Sequence, residues 1–135
     1  MIDLVNIPKI LRPGIIYKKK INKILKFKFK DSIKSKVIRS PGMTKKHYSP
    51  GIPVRINQSN HDKKSTFIYL GKKYLNKKEF FSLSNSSNLQ EAASNLCKTF
   101  RDIKKRGYKK IQIGKIPNSG CGVAINDRIK RASKT

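Results

Sequence analysis

The segment Phe80–Ile116, FFSLSNSSNLQEAASNLCKTFRDIKKRGYKKIQIGKI, decides the fold, because it reads as strand, helix and strand in direct succession. Phe80-Phe81-Ser82-Leu83 is a short strand of aromatic and aliphatic residues. From Leu89 the period changes. Leu89, Ala92, Ala93, Leu96, Phe100 and Ile103 recur every three or four residues, which lines them along one face of a helix. Asn88 with Glu91 makes a capping pair at the start of that helix, and Gly107 ends it. The run Ile111–Ile116 is then a further strand. A helix of this length between two strands is a crossover, so the strands pair in parallel and the helix packs on the sheet.

The flanking residues extend the same pattern. Thr66-Phe67-Ile68-Tyr69-Leu70 is β-branched or aromatic almost throughout and is stopped by Gly71; it is the strongest strand in the chain. Val54–Asn57 reads as another strand, separated from it by the polar turn Ser59–Lys64. Downstream, Pro117–Gly122 is a tight loop and Val123–Ser133 a closing helix. Residues 51–135 are therefore expected to form one α/β unit with a parallel sheet.

Before residue 51 the chain has a different character. In Arg39–Pro50, Pro41 and Pro50 fix φ and remove backbone donors, so neither a helix nor a central strand crosses the segment. It carries His47 and Tyr48 behind two lysines, whose ordinary reading is a surface loop with rings that pack locally. Ile2–Val5 and Ile10-Leu11 read as extended pieces, Arg12-Pro13-Gly14 as a turn, and Ile15–Leu25 as a short basic helix. Lys26–Lys36 follows as a connection of low order, in which alternating Lys and Phe suit an edge strand or, as the lesser alternative, a membrane-surface contact. Pieces this few, within the first 38 residues, cannot bury a core of their own.

The chain has 135 residues, enough for one ordinary domain and marginal for two. Its 33 basic and 7 acidic residues give a formal charge of +26. Such a field attracts polyanions, which opens one reading as a non-enzymatic basic protein that binds RNA or ribosomes. The lysines are nevertheless scattered along the whole sequence, as on a solvated surface. Cys97 and Cys121 fit no metal or redox spacing and read as free thiols. Asp3 and Pro8 interrupt any signal-peptide pattern and no apolar run is long enough to span a bilayer, so the expected location is the cytoplasm, with no membrane partner.

Ser40–Pro50, S-P-G-M-T-K-K-H-Y-S-P, resembles the interdomain linker of the two-domain threonylcarbamoyl-AMP synthases. That linker joins a YrdC-like catalytic domain to a smaller Rossmann-like domain and folds over the active site. The resemblance continues on both sides. Asp3-Leu4 with Ile10-Leu11-Arg12-Pro13-Gly14 is similar to the closing segment of the catalytic domain. Ile116–Ala132, containing G-C-G-V-A-I-N-D-R-I-K-R-A, is similar to the end of the C-terminal domain. The resemblance thus implies a remnant of an α+β YrdC-like domain at 1–38, a linker at 39–50 and a small Rossmann-like parallel sheet flanked by helices at 51–135. Thr44-Lys45-Lys46 departs from the Lys-Tyr-Arg that many relatives carry, so no role of that tyrosine and arginine transfers.

The family joins threonine, bicarbonate and ATP, with magnesium, into threonylcarbamoyl-AMP, whose threonylcarbamoyl group is placed downstream on tRNA. By resemblance, Arg12 lies in the nucleotide site, and His47 and Tyr48 enclose the nucleotide; a helix-entry arginine without a ligand is the ordinary alternative for Arg12. The catalytic domain's ATP-binding motif and threonine pocket have no counterpart in the sequence, so the chain is expected to be inactive alone and to need a YrdC-like domain, on the same or a separate chain. No catalytic residue and no metal ligand is assigned. Gly120-Cys121-Gly122 fails the dinucleotide fingerprint and reads as a structural turn; Asp127 and Arg131, four apart on a helix, read as an ion pair.

Overall fold

The computed structural model describes residues 2–4, 7–14, 16, 18–31 and 48–134. Two sheets organise them. The first joins β1 (Ile2–Asp3), β2 (Lys9–Ile10) and β3 (Lys30–Asp31), with α1 (Lys18–Leu25) between the last two. β1 runs antiparallel to β2, and β3 parallel to it, pairing Lys9 with Lys30 and Ile10 with Asp31. The short strand expected in the Lys-Phe region is thus β3, an edge strand. α1 buries none of its residues.

The second sheet contains β4 (Val54–Arg55), β5 (Thr66–Tyr69), β6 (Phe80–Ser82) and β7 (Ile111–Ile113), in the order β4-β7-β5-β6 and parallel throughout. Between β6 and β7 runs α2 (Leu89–Lys105), and α3 (Cys121–Ala132) follows β7. The fold class is α/β, as the succession of strand and helix patterns implies.

The core forms where α2 and α3 meet each other and the sheet. Ile68, Leu83, Leu96, Ile103, Ile111, Ile113 and Ile125 are wholly excluded from solvent. All four residues of β5 are buried, as expected of a central parallel strand covered on both faces. Ile68 belongs to the helix-side core, while the alternate residues Phe67 and Tyr69 enter a separate aromatic cluster with His61, Tyr74 and Phe80. Among the described residues no helix lies on that second face. It is covered by the turns before β5 and between β5 and β6.

Local chemistry explains the ends of α2. Asn88 Oδ1 accepts the amides of Gln90 and Glu91 at 2.8 and 3.1 Å. The return arm differs from a simple capping box. Glu91 accepts from Ser84 Oγ at 2.5 Å, and Ser84 Oγ itself accepts the Asn88 amide at 2.9 Å, so a buried serine relays the link. At the other end Gly107 adopts φ +81°, and the Tyr108 amide reaches back to the Ile103 carbonyl.

Two boundaries move from their expected places. β7 ends at Ile113, and Ile116 still reaches the core from the loop beyond it, at 7 % exposure. α3 starts at Cys121, two residues before Val123, because Gly122 lets the helix begin directly against the Pro117 carbonyl.

Candidate functional site

Arg12, two residues beyond β2, and Tyr48, two residues before Pro50, come together with Arg128 of α3. Arg12 sits at a bend immediately before Pro13-Gly14, and Tyr48 packs against the α2–α3 core. The Arg12 guanidinium carbon lies 5.3 Å from the centre of the Tyr48 ring. The guanidinium of Arg128, on α3, lies 5.8 Å from the same ring. Both distances fall within cation–π range. Arg128 also donates through Nη1 to the Ala93 carbonyl of α2 at 3.2 Å, so the ring is held by a side chain that bridges both helices.

Beside this cluster, Arg131 donates to Asp127 through Nε at 3.0 Å and through Nη2 at 3.2 Å. The ion pair read from the four-residue spacing is therefore formed, and bidentate. The pKa of Arg12 is held below the usual arginine value, first by burial and then by Arg128; Arg131 adds to the effect and Asp127 opposes it. A guanidinium remains charged regardless, so the shift marks a cation partly withdrawn from water with a second cation, Arg128, beside it. An anion would relieve it.

Arg12 also faces a cavity of about 760 Å³ between the N-terminal unit and the loop before α3. Ile10, Leu11 and Ile21 supply apolar wall, Lys18 and Lys19 further cations, and Asn118 and Ser119 polar groups from the opposite side. A wall of this kind suits a ligand with an apolar body and a phosphate, since a guanidinium fork matches phosphate oxygens. Magnesium is another matter. It requires a set of oxygen ligands, and among the described residues no three His, Cys, Asp or Glu side chains come together to hold a metal. The residues present fit the phosphates of a nucleotide and do not fit its ion.

Of the residues singled out from the sequence, the fold brings Arg12 and Tyr48 together; His47 lies outside the described residues. Arg128 was not singled out. Its signal is a cation on α3 next to Asp127, on a face that the apolar pattern leaves unassigned. The Gly120-Cys121-Gly122 turn is structural: Gly120 takes φ +51°, and the Gly122 amide is satisfied by the Ser119 carbonyl at 2.8 Å. No helix among the described residues is long and apolar enough to cross a membrane.

Comparison with known proteins gives a consistent result. A family model described as threonylcarbamoyl-AMP synthase, C-terminal domain, matches residues 16–134. A curated threonylcarbamoyl-AMP synthase from Pyrococcus abyssi is 27% identical over 153 residues, covering 98% of this chain and 44% of its own length. The chain thus spans less than half of that relative. The crystal structure of P. abyssi Sua5 with L-threonine superimposes with a TM-score of 0.76 at 24% identity, over 98% of this chain and 44% of that one. A variant of the same protein, with a histidine and the tyrosine next to it both changed to alanine, gives 0.74 at 22% identity with the same coverage.

Proposed function

Because the chain belongs to the threonylcarbamoyl-AMP synthase C-terminal domain family, we propose that it serves as the linker and C-terminal portion of an L-threonylcarbamoyladenylate synthase. The reaction joins threonine, bicarbonate and ATP into threonylcarbamoyl-AMP and releases pyrophosphate, in the cytoplasm, supplying the group later placed on tRNA. Residues 1–38 act as the closing segment of a YrdC-like domain, 39–50 as the linker, and 51–135 as the C-terminal domain.

The meeting of Arg12 and Tyr48 at 5.3 Å carries this reading, since it brings the linker's end to the one arginine assigned to the nucleotide. Two further observations support it. Seven of the nine exposed large apolar side chains among the described residues lie between Ile2 and Phe27, with Leu4 at 74 % and Ile24 at 67 % exposure. A surface of that composition calls for a covering partner, and the remainder of a YrdC-like domain is the partner proposed, on the same chain or a separate one. The P. abyssi protein was also crystallised with threonine and altered at a His-Tyr pair. His47-Tyr48 is the His-Tyr pair of this sequence.

In this assignment Arg12 binds phosphate oxygens, while His47 and Tyr48 close over the nucleotide and exclude water. A magnesium ion on the polyphosphate would need oxygen ligands other than the described residues, among which no metal-holding cluster forms.

Threonine-dependent pyrophosphate release tests the proposal. The 135-residue chain alone is expected to release none, and a mixture with a separately expressed YrdC-like domain to release it. In that mixture, Arg12→Ala is expected to lower the rate at least about tenfold, the scale of losing one charge-assisted phosphate contact. Turnover by the chain alone would overturn the division of labour. Unchanged turnover with Arg12→Ala would remove Arg12 from the site.

A further inference from the structure

A crevice opens past the carboxyl edge of the second sheet, and what it binds is independent of the proposed synthase role. β4 and β7 are parallel neighbours, Val54 pairing with Ile111 and Arg55 with Gln112. Beyond their carboxyl ends the chain departs to opposite faces. After β4 it turns back across the sheet: the Gln58 amide donates to the Ile113 carbonyl at 3.0 Å, and the Asp62 amide to Gln112 Oε1 at 2.7 Å. Gln112 alternates with the core residues Ile111 and Ile113, so that path lies on the face away from the helices. After β7 the chain passes Ile116, which belongs to the helix-side core, and enters α3. Neighbouring parallel strands whose continuations part in this way leave a gap between them, and ligands of α/β sheets bind in such gaps.

The gap measures about 500 Å³, within the range of small-ligand sites. Ile56 and Asn57 border it beyond β4, Gly114 and Ile116 beyond β7, and Asn126, Asp127 and Lys130 on α3. Its rim is tied together. Asn126 Nδ2 donates to the Ile116 carbonyl at 3.2 Å and to Asn118 Oδ1 at 3.4 Å, which joins α3 to the loop before it. Asp127 is likewise held, by its two-point contact with Arg131. A carboxylate so engaged still has lone pairs for a further donor.

Charges of both signs stand on this wall. The Arg12 cavity differs, since Arg12, Lys18 and Lys19 line it with no acid among its described residues. Here the exposed Lys130 follows Asp127 by three residues on α3, a spacing that puts the two on neighbouring positions of one helix face. A plain anion would meet the Asp127 carboxylate. A plain cation would meet the Lys130 ammonium inside the field of a chain of charge +26. A small zwitterion satisfies both groups at once, and Ile56 and Ile116 offer apolar wall to the rest of it.

We propose that the crevice beyond β4 and β7 binds a free α-amino acid with an apolar side chain, its ammonium on Asp127, its carboxylate on Lys130 and its side chain against Ile56 and Ile116.

Titrating the isotope-labelled full chain with L-valine, read by the amide chemical shifts in nuclear magnetic resonance, tests this. Saturable shifts are expected at Asn57, Gly114 and Asn126 by about 10 mM, which suffices for a site of millimolar affinity. Two halves of the ligand serve as further probes: isobutylamine lacks the carboxylate, and isovalerate lacks the ammonium. Each is expected to bind at least about tenfold more weakly than valine, the scale of one lost charge-assisted contact. Lys130→Gln, an exposed change that does not reach the core, is expected to weaken valine about tenfold and leave isobutylamine unchanged. Asp127→Asn is expected to weaken valine and isobutylamine and to leave isovalerate unchanged. Lys134→Gln removes a cation from the same end of the chain, outside the crevice, and is expected to leave valine binding intact. No saturable shift with valine, isovalerate binding as tightly as valine, or an equal loss with Lys134→Gln would overturn the proposal. Unchanged valine binding by both Lys130→Gln and Asp127→Asn would do the same. So would shifts confined to residues 10–21, which would seat the ligand in the Arg12 cavity instead.

Discussion

Tyr48 collects two guanidiniums on one ring, from Arg12 in the N-terminal unit and Arg128 on α3. Each such contact is worth about 0.5–2 kcal/mol when partly desolvated, enough to hold the Tyr48 ring in place. Arg12 and Tyr48 were legible as site candidates through the resemblance of Ile10–Gly14 and Ser40–Pro50 to the synthase family. Their contact with Arg128 was not, since helical periodicity identifies the residues that face the core and says nothing about which cation beside them meets a distant ring. Gly122 makes a sharper test at this scale. A Cβ there would collide with the backbone carbonyl of Pro117, an atom that cannot move aside as a flexible side chain does. Gly122→Ala is therefore expected to destabilise the fold by about 1–3 kcal/mol, the cost of forcing an extra carbon into a packed contact. Urea denaturation measures it, and an unchanged midpoint would show that α3 can start elsewhere.

Among the elements, α2 was the most legible, because periodicity, cap and terminating glycine all agree over 17 residues. The boundary of α3 was less so. Glycine ordinarily reads as a helix breaker, and its service here, letting a helix start against a carbonyl, is visible when the carbonyl is in place. Strand order was also beyond the sequence: β7, last in the chain, inserts between β4 and β5, and only long-range register sets that. The aromatic cover of the second sheet face was missed for a similar reason, as Tyr74 sits in a turn with no period to flag it. For α2 itself, Asn88 carries two amides while its own amide depends on Ser84. Asn88→Ala is expected to cost about 1 kcal/mol. Ser84→Ala removes a buried hydroxyl that serves both Asn88 and Glu91, so it is expected to cost at least as much. If urea midpoints show Ser84→Ala to be silent, the relay contributes nothing.

For the molecule as a whole the governing quantity is a charge of +26 on 135 residues. Among the described side chains, three of the seven acidic groups make their hydrogen bonds to partners other than lysine side chains. Glu91 accepts from serine hydroxyls, Asp62 accepts the Lys64 amide and the Ser65 hydroxyl, and Asp127 is committed to Arg131. Folding therefore gathers cations into a smaller volume with little local compensation, and self-repulsion opposes the compact state. Salt weakens that repulsion, because the screening length falls from roughly 20–30 Å at low salt to less than about 10 Å in physiological buffer. The melting temperature is expected to climb by several degrees between about 0.02 and 0.3 M sodium chloride; for a domain of this size about 1 kcal/mol corresponds to roughly 3–5 °C. Calorimetry at fixed pH reads it directly. A rise produced by millimolar phosphate but not by chloride would instead place the stabilisation in a discrete anion site, such as the one proposed at Arg12. A melting temperature that is flat or falls with chloride would show that the lysines are far enough apart for water alone to separate them.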